Sequence, residues 1–481
     1  MHHDPDAAYR ALKARDARFD GRLFVGVTST GVYCRPVCRV RTPRRENCRF
    51  FANAAQAEAA AFRPCLKCRP EIAPGLSSMD SSSALARVSA RWLDHAVHAG
   101  EPIALPALAA RLGVTDRHLR RIFQAEFGVS PQDHVTTQRL LLAKQLLTDT
   151  TLPVTQVALA SGFASLRRFN AAFVERYRMV PTRLRREGSP QAVDPTLRLA
   201  WRPPYDTEAM LAFHAQRALA GVEQVEGLTL RRTWAIELGG RRLSGWVACR
   251  FVPERHELRL SASPSLTPAL GALRQRVRHV FDLDADPAQI DPVLARLPAP
   301  LRPGLRLPGC FDGFELAVRV ILGQQVTVAA ARTLVQRLVQ RFGTVVDTPF
   351  PALTHGFPDA ATLAAADPAD IGRLGIVRQR VKALQALATA VAAGQIALHP
   401  GAPLESTMDA LRALPGVGEW TAQLIALRAL AWPDAFPATD IGLLNALGHR
   451  DAARATQTAE AWRPWRGYAV IRLWHALENP A

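Results

Sequence analysis

The chain has 481 residues, a length that suggests three or four domains, and its hydrophobic content of 48% is enough for packed cores. Sixty Lys and Arg face 42 Asp and Glu, and the formal net charge of +18 favours a polyanionic partner. No run of about 18 apolar residues exists, which excludes a membrane-spanning helix, and no apolar run follows Met1-His-His-Asp-Pro-Asp, which excludes a secretory signal peptide. The expected location is the bacterial cytoplasm, with no membrane partner.

The first informative stretch runs from Phe24 to Pro70. It holds Thr30-Gly-Val-Tyr-Cys34-Arg-Pro-Val-Cys38-Arg-Val-Arg41 and Phe62-Arg-Pro-Cys65-Leu-Lys-Cys68. Spacings of Cys-x₃-Cys and Cys-x₂-Cys can set four thiolates at the corners of a tetrahedron, the arrangement Zn²⁺ prefers. The alternative is two disulfides, which would suit a secreted domain. Cys48, between the pairs, reads as a small buried residue. Arg35, Arg39, Arg41, Arg44, Arg45, Arg49, Arg63, Lys67 and Arg69 surround the cysteines and read as a phosphate-seeking surface. The extended pattern, with Arg45-Glu-Asn between the pairs, resembles the N-terminal domain of Ada repair and regulatory proteins over roughly residues 1–75. The resemblance implies one Zn²⁺ on Cys34, Cys38, Cys65 and Cys68. It also implies that Cys34 accepts a methyl group from a DNA phosphotriester and that Thr30, Arg39, Arg41 and Arg63 touch DNA.

Residues 71–83 read as a linker, since small polar residues dominate. Residues 84–186 carry two helix-turn-helix patterns. In the first, Leu105, Leu108, Ala109 and Leu112 share a face, Gly113 turns, Thr115 caps, and Leu119, Ile122 and Phe123 continue the core. In the second, Gly162 turns, Ser165 caps, and Phe169 and Phe173 face inward. A connecting helix is predicted over Val135 to Leu147. Two such units and the tail Phe173-x-x-Arg-Tyr-x-x-Val-Pro-Thr-x-Leu-Arg resemble the DNA-binding domain of AraC-type activators. This implies promoter DNA and RNA polymerase as partners, with Arg117, His118, Arg120, Arg121, Arg167, Arg168 and Asn170 as candidate contacts.

After a second predicted linker over 187–196, residues 197–285 mix alternating apolar runs with a helical stretch and read as a small α+β unit. Residues 286–481 read as all-helical. Their central motif is Leu414-Pro-Gly416-Val-Gly418-Glu-Trp420, a helix-hairpin-helix whose Gly416 and Gly418 let backbone amides approach a DNA phosphate. Asp440 follows 22 residues after Gly418. The hairpin and aspartate, with Trp201-Arg-Pro-Pro-Tyr-Asp, Arg302-Pro-Gly-Leu-Arg-Leu-Pro-Gly and Ile321-Leu-Gly-Gln-Gln325, resemble AlkA-type 3-methyladenine DNA glycosylases over about residues 197–477.

The glycosylase resemblance implies that Asp440 is catalytic, that Phe213, Trp420 and Trp474 line a base pocket, and that Gln325 stands where the family carries an apolar wedge. Leu424 and His475 replace pocket tyrosines. Trp420 stands where strand-cleaving relatives carry lysine, and no four-cysteine loop follows Asp440, so neither lyase chemistry nor an iron–sulfur cluster is expected. Asp440 also reads simply as a helix N-cap. No Pro-Cys-His-Arg tetrapeptide is present, so O6-alkylguanine transfer is not expected. The expected architecture is multidomain and mainly α: a small zinc-bound α+β domain, a double helix-turn-helix, an α+β subdomain and an all-α helix-hairpin-helix glycosylase. The alternative function is a regulator whose glycosylase region binds damaged DNA without catalysis.

Overall fold

The computed structural model describes residues 5–15, 23–51, 54–68, 70, 78–99, 103–188, 196–299 and 302–478. It divides into two compact units, Met1–Leu93 with Ile103–Val135, and Asp94–Pro102 with Thr136–Ala481. The architecture is mainly helical, with sheets of four, five and two strands, the last a short pair within the segment 286–481 that the sequence reads as all-helical.

The N-terminal part begins with α1 (Pro5–Ala14) and a four-stranded sheet of order β3-β1-β2-β4. Its strands are β1 (Phe24–Val27), β2 (Val32–Cys34), β3 (Cys48–Phe51) and β4 (Arg63–Pro64), and α2 (Ala54–Ala59) joins the last two. β1 pairs antiparallel with β2 and β3, and β2 pairs parallel with β4. That parallel pairing brings the two cysteine pairs together. Cys34 ends β2, and Cys65 follows β4 with its amide donating to the Tyr33 carbonyl at 3.0 Å. Phe24, Tyr33, Ala57 and Phe62 form the small core behind it.

The expected linker 71–83 is corrected in part: α3 runs Ser78–Ala99, while 71–77 lie outside the described residues. Serine is a mediocre helix former rather than a breaker, and extending a helix costs far less than nucleating one. The apolar period downstream, which buries Ala86, Ala90, Leu93 and Val97, therefore carries the serines with it. Next come α4 (Leu105–Arg111), α5 (Asp116–Phe127), α6 (Pro131–Asp149), α7 (Val154–Ala160), α8 (Leu166–Tyr177) and α9 (Pro181–Gly188). Both turns form as the sequence indicates. Gly113 and Gly162 take φ of +68° and +84°, Thr115 accepts from the His118 amide, and Ser165 accepts from the Arg168 amide. Of the second linker, 189–195 lie outside the described residues.

A five-stranded antiparallel sheet follows, of order β5-β9-β8-β7-β6. It comprises β5 (Leu197–Ala200), β6 (Glu223–Glu226), β7 (Thr229–Leu238), β8 (Arg241–Val252) and β9 (Glu257–Ala262), with α10 (Thr207–Arg217) between the first two. Then come α11 (Leu270–Val280), α12 (Pro287–Leu294), α13 (Gly313–Leu322), α14 (Val328–Phe342), the short pair β10 (Thr344–Val345) and β11 (His355–Gly356), α15 (Ala360–Ala365), α16 (Pro368–Arg373) and α17 (Arg378–Ala392). The last helices are α18 (Leu404–Arg412), α19 (Glu419–Arg428), α20 (Ile441–Ala446), α21 (Ala452–Ala459) and α22 (Arg466–Glu478). One large apolar core, with Ile321, Leu384, Leu411, Ile425 and Leu473 at its centre, holds α13, α17, α18, α19 and α22 together.

The core under α6–α8 is continuous with that of the five-stranded sheet. Leu146, Leu147, Val157, Phe169 and Phe173 belong to one cluster with Leu199, Leu258, Leu260 and Leu266. Gln145 Nε2 donates to the Arg198 carbonyl at 2.8 Å, and the Arg198 amide donates to Asp149 Oδ2 at 3.4 Å. Elements that share one core open together. In native-state hydrogen exchange, the slowest amides of α7, α8 and β8 are expected to merge into one denaturant-dependent opening. Separate openings for the helices and the sheet would contradict a common core.

Candidate functional site

The four cysteines Cys34, Cys38, Cys65 and Cys68 are buried free thiols whose sulfur atoms all lie within 4.8 Å of one another. The two-disulfide alternative is therefore not realised. Four soft sulfur donors at this spacing, with no carboxylate or imidazole among them, fit a tetrahedral Zn²⁺. The thiols are close enough to hydrogen-bond with one another. Hydrogen bonds with Cys38 and Cys68 push the Cys34 thiol far up, while accepting from Cys34 and Cys68 pulls Cys38 down to about 2. The Arg35 amide donates to Cys68 Sγ at 3.5 Å. Cys48 is buried as expected, its thiol against the Arg44 carbonyl.

Thr30, Arg39, Arg41 and Arg63 are all exposed around this centre. Arg35 is a correction to the predicted basic surface: it is 1% exposed and packs inside. Arg45 is half-buried, paired with Asp6 at 3.1 Å and lying over the Phe50 ring, so it too is partly structural. Arg69 lies outside the described residues.

On α5, Arg117, Arg120 and Arg121 face solvent; Arg120 pairs with Asp116 at 2.8 Å and Arg121 meets His118 Nδ1 at 3.1 Å. On α8, Arg167 and Arg168 are exposed and Asn170 is half-buried. Each set occupies the first turns after its cap, where a recognition helix presents side chains.

The glycosylase-like part places its predicted residues around one cavity of about 380 Å³. Phe213, Trp420, Trp474, Asp440 and Leu424 all line it. Asp440 caps α20, its Oδ1 accepting from the Leu443 amide at 2.8 Å. The same carboxylate accepts the Trp474 indole N–H on Oδ1 and the Trp420 indole N–H on Oδ2, both at 2.9 Å. Cap and pocket are thus one device: the helix end fixes the carboxylate, and the carboxylate fixes both rings.

Several contributors were missed by the sequence reading. Gly442 leaves room for Trp474, since an added Cβ would meet that ring at 3.5 Å and Asp440 Oδ1 at 3.2 Å. The guanidinium groups of Arg217 and Arg428 lie 3.9 Å and 4.8 Å from the Phe213 ring centre. Trp420, Leu424 and Arg428 recur every four residues on α19, a spacing that could have signalled a common wall. Arg232 joins Glu223 and Glu315 at 2.7 Å each, and Arg319 joins Glu223 at 3.0 Å. Burial opposes ionisation of Glu223, but the Arg319 and Arg232 charges hold its carboxyl below the ordinary range. Desolvation, reinforced by Arg428 and Arg217, drives His214 down to about 3, so this imidazole is neutral at pH 7.

His475 is not in this cavity. It lines a neighbouring one of about 300 Å³, where its Nε2 meets Arg302 Nη1 at 2.9 Å. Gln325 is exposed in the α13–α14 turn with φ of +54° and is not among the residues lining either cavity. Val326 and Val328 beside it are 37% and 48% exposed and do line the larger cavity. Gly416, at φ of +75°, makes the hairpin turn, and Gly418 is the exposed N-cap of α19.

Four family models match the chain in order: the metal binding domain of Ada over 7–71, a helix-turn-helix domain over 108–187, the AlkA N-terminal domain over 196–312, and the HhH-GPD superfamily of base excision DNA repair proteins over 318–464. A Mycobacterium tuberculosis protein described as a probable bifunctional transcriptional activator/DNA repair enzyme AlkA is 39% identical over 498 aligned residues, covering 100% of this chain and 98% of its own. The chain belongs to this AlkA-type bifunctional family.

Partial relatives mark the two halves of this AlkA-type chain. The Escherichia coli DNA-3-methyladenine glycosylase 2 is 38% identical over 277 residues, 58% of this chain and 96% of the relative. The Escherichia coli bifunctional activator/repair enzyme Ada is 37% identical over 133 residues, 26% of this chain and 34% of that one. The AlkA-type chain is a DNA-binding repair and regulatory protein, with a zinc-binding domain, a helix-turn-helix region and a DNA glycosylase region.

Proposed function

We propose that this chain accepts a methyl group from DNA methylphosphotriesters on Cys34, activates transcription in that state, and hydrolytically excises alkylated purines such as 3-methyladenine through Asp440. The observation that carries the excision reading is the carboxylate of Asp440, clamped by two indole N–H groups on the wall of an aromatic cavity.

Alkylation at N3 or N7 makes a purine cationic and weakens its glycosidic bond. A flipped cationic base stacks well on electron-rich rings. As the bond breaks, its electron pair leaves with the base and positive charge grows on the sugar, where the fixed carboxylate stabilises it. Water then adds to the sugar carbon and loses its proton to solvent or to Asp440. The one imidazole among the described cavity residues, His214, is neutral and cannot protonate a leaving base at pH 7. That favours bases already activated by alkylation. Incubating the purified chain with methylated duplex DNA and analysing released bases tests the reading; free 3-methyladenine is expected. DNA binding without base release would favour the non-catalytic regulator.

At the cysteine centre, Cys34, Cys38, Cys65 and Cys68 would hold Zn²⁺, which would keep their sulfurs deprotonated at neutral pH. The Cys34 sulfur forms a bond to the methyl carbon as the carbon–oxygen bond breaks, and the phosphodiester leaves with the electron pair. The thioether is not reversed by any neighbouring group, so each molecule reacts once. Methylation removes one negative charge from a face ringed by Thr30, Arg39, Arg41 and Arg63, which strengthens attraction to phosphate. The methylated chain is therefore expected to bind its promoter more tightly, with a gain that shrinks as salt rises. Equal affinities of the two forms at low salt, measured by titration of labelled promoter DNA, would sink this electrostatic account. RNA polymerase is the partner this activator reading requires.

A further inference from the structure

The wedge turn and the DNA-gripping hairpin are joined by one side chain. Gln324 precedes the exposed Gln325 in the α13–α14 turn, and its Nε2 donates to the Gly416 carbonyl and to Thr421 Oγ1, both at 2.9 Å. Its own backbone carbonyl accepts from the Arg380 guanidinium near the start of α17. An amide has two N–H donors, and here both are used. The two segments that the glycosylase reading places against DNA, the wedge turn and the hairpin, thus meet at this residue, with the start of α17 bonded beside them. Two neighbouring residues, Gln325 and Gly416, sit in the left-handed region of backbone space, at φ of +54° and +75°. For a glutamine that conformation is strained and persists only where surrounding contacts fix it. The bonds from Gln324 supply such contacts on both sides.

We propose that Gln324 is a positioning residue that fixes the wedge turn relative to the hairpin, so that grip on the phosphate backbone is converted into extrusion of the base. This rests on the glycosylase reading above. Gln324 is not itself among the residues lining the cavity and is not among the hydrogen-bond partners of Asp440. Its loss therefore weakens the step that unpairs the lesion and spares the bond-breaking step that follows.

Gln324→Glu keeps the size and removes both donors, setting a carboxylate against the Gly416 carbonyl. Thr421→Val removes one acceptor at a site only 2% exposed, so this variant puts no altered side chain on the DNA-facing surface. Single-turnover excision by the full-length chain is measured on a duplex carrying 7-methylguanine opposite cytosine, and on the same duplex with an abasic analogue opposite the lesion. The second duplex has no base pair to break. Each variant is expected to lose roughly 10-fold on the paired lesion, about the worth of one or two hydrogen bonds. Each should match the wild type on the unpaired lesion, and the double variant should lose less than the product of the two single losses.

Equal losses on both duplexes would show a general structural defect and overturn the proposal, as would no loss on either. A loss for Gln324→Glu with none for Thr421→Val would also overturn it, since it would mean that Gln324 leaves the hairpin and inserts into DNA itself. A wild type that excises from neither duplex would overturn the glycosylase reading, a result distinct from any of these because it requires no variant.

Discussion

Asp440→Asn is expected to slow single-turnover release of 3-methyladenine by on the order of 100-fold or more, the usual consequence of removing a preorganised electrostatic group. The side chain keeps its size and one oxygen. That oxygen can still accept from the Leu443 amide and the Trp474 indole, as Asp440 Oδ1 does. The α20 cap therefore survives, and asparagine caps about as well as aspartate. The Trp420 indole loses its acceptor, because the new amide nitrogen is itself a donor facing it. Stability should fall by about 1 kcal/mol, the low end of the cost of an unsatisfied donor, because this bond is only part-buried. This bond also offers a rival explanation: the rate could fall because Trp420 loosens. Trp420→Phe separates the two, since it deletes the N–H and keeps an aromatic face. If charge on Asp440 is what matters, Trp420→Phe costs far less than Asp440→Asn. Equal losses would assign Asp440 to ring positioning, and a folded Asp440→Asn variant excising at the wild-type rate would remove it from the chemistry altogether. Binding to DNA with an abasic analogue should survive in both variants.

What the sequence made legible were features whose signal is local. The cysteine spacings, the turn glycines with their Thr115 and Ser165 caps, and the hairpin followed by Asp440 all reappear as geometry. The features that stayed hidden depend on distant residues meeting. Glu223 and Arg319 are nearly a hundred positions apart, and nothing local marks them as partners beneath one cavity. Amphipathic periodicity told that Phe169 and Phe173 would be buried, but not that the strand residues Leu258 and Leu260 share their cluster. Arg35 looked like its basic neighbours because composition does not report direction. It follows Cys34 at the end of β2, inside the Cys34-x₃-Cys38 loop, and is buried there. Gln325 could be matched to the family's wedge position, but not to the left-handed conformation it adopts in the α13–α14 turn.

Cys34→Ala is expected to abolish methyl uptake entirely while leaving base excision at the wild-type rate. The two chemistries use different atoms: the four sulfurs of the cysteine centre, and the carboxylate and rings around Asp440. Burial does not single out the acceptor, because Cys34 and Cys65 keep similar residual exposure, 6% and 8%, while Cys38 and Cys68 keep less. The choice of Cys34 over Cys65 rests on the Ada-type motif, since both sulfurs lie near Arg63. Cys34 ends β2 with the exposed Thr30 and Arg63 close by through the parallel β2–β4 pairing, which sets Val32 against Arg63. The variant alone is ambiguous, since losing a ligand also weakens metal binding, and the small domain depends on that metal for its fold. The unmodified chain gives the clean answer. After exposure to methylphosphotriester DNA, it should carry one added methyl, and fragment-ion mapping should place it on Cys34 and not on Cys38. A methyl on Cys65 would move the nucleophile to the other strand, and more than one methyl per chain would break the single-turnover account. Cys38→Ala should instead release zinc and unfold the domain without transferring the reaction elsewhere, because Cys38 and Cys68 are the most deeply enclosed of the four sulfurs.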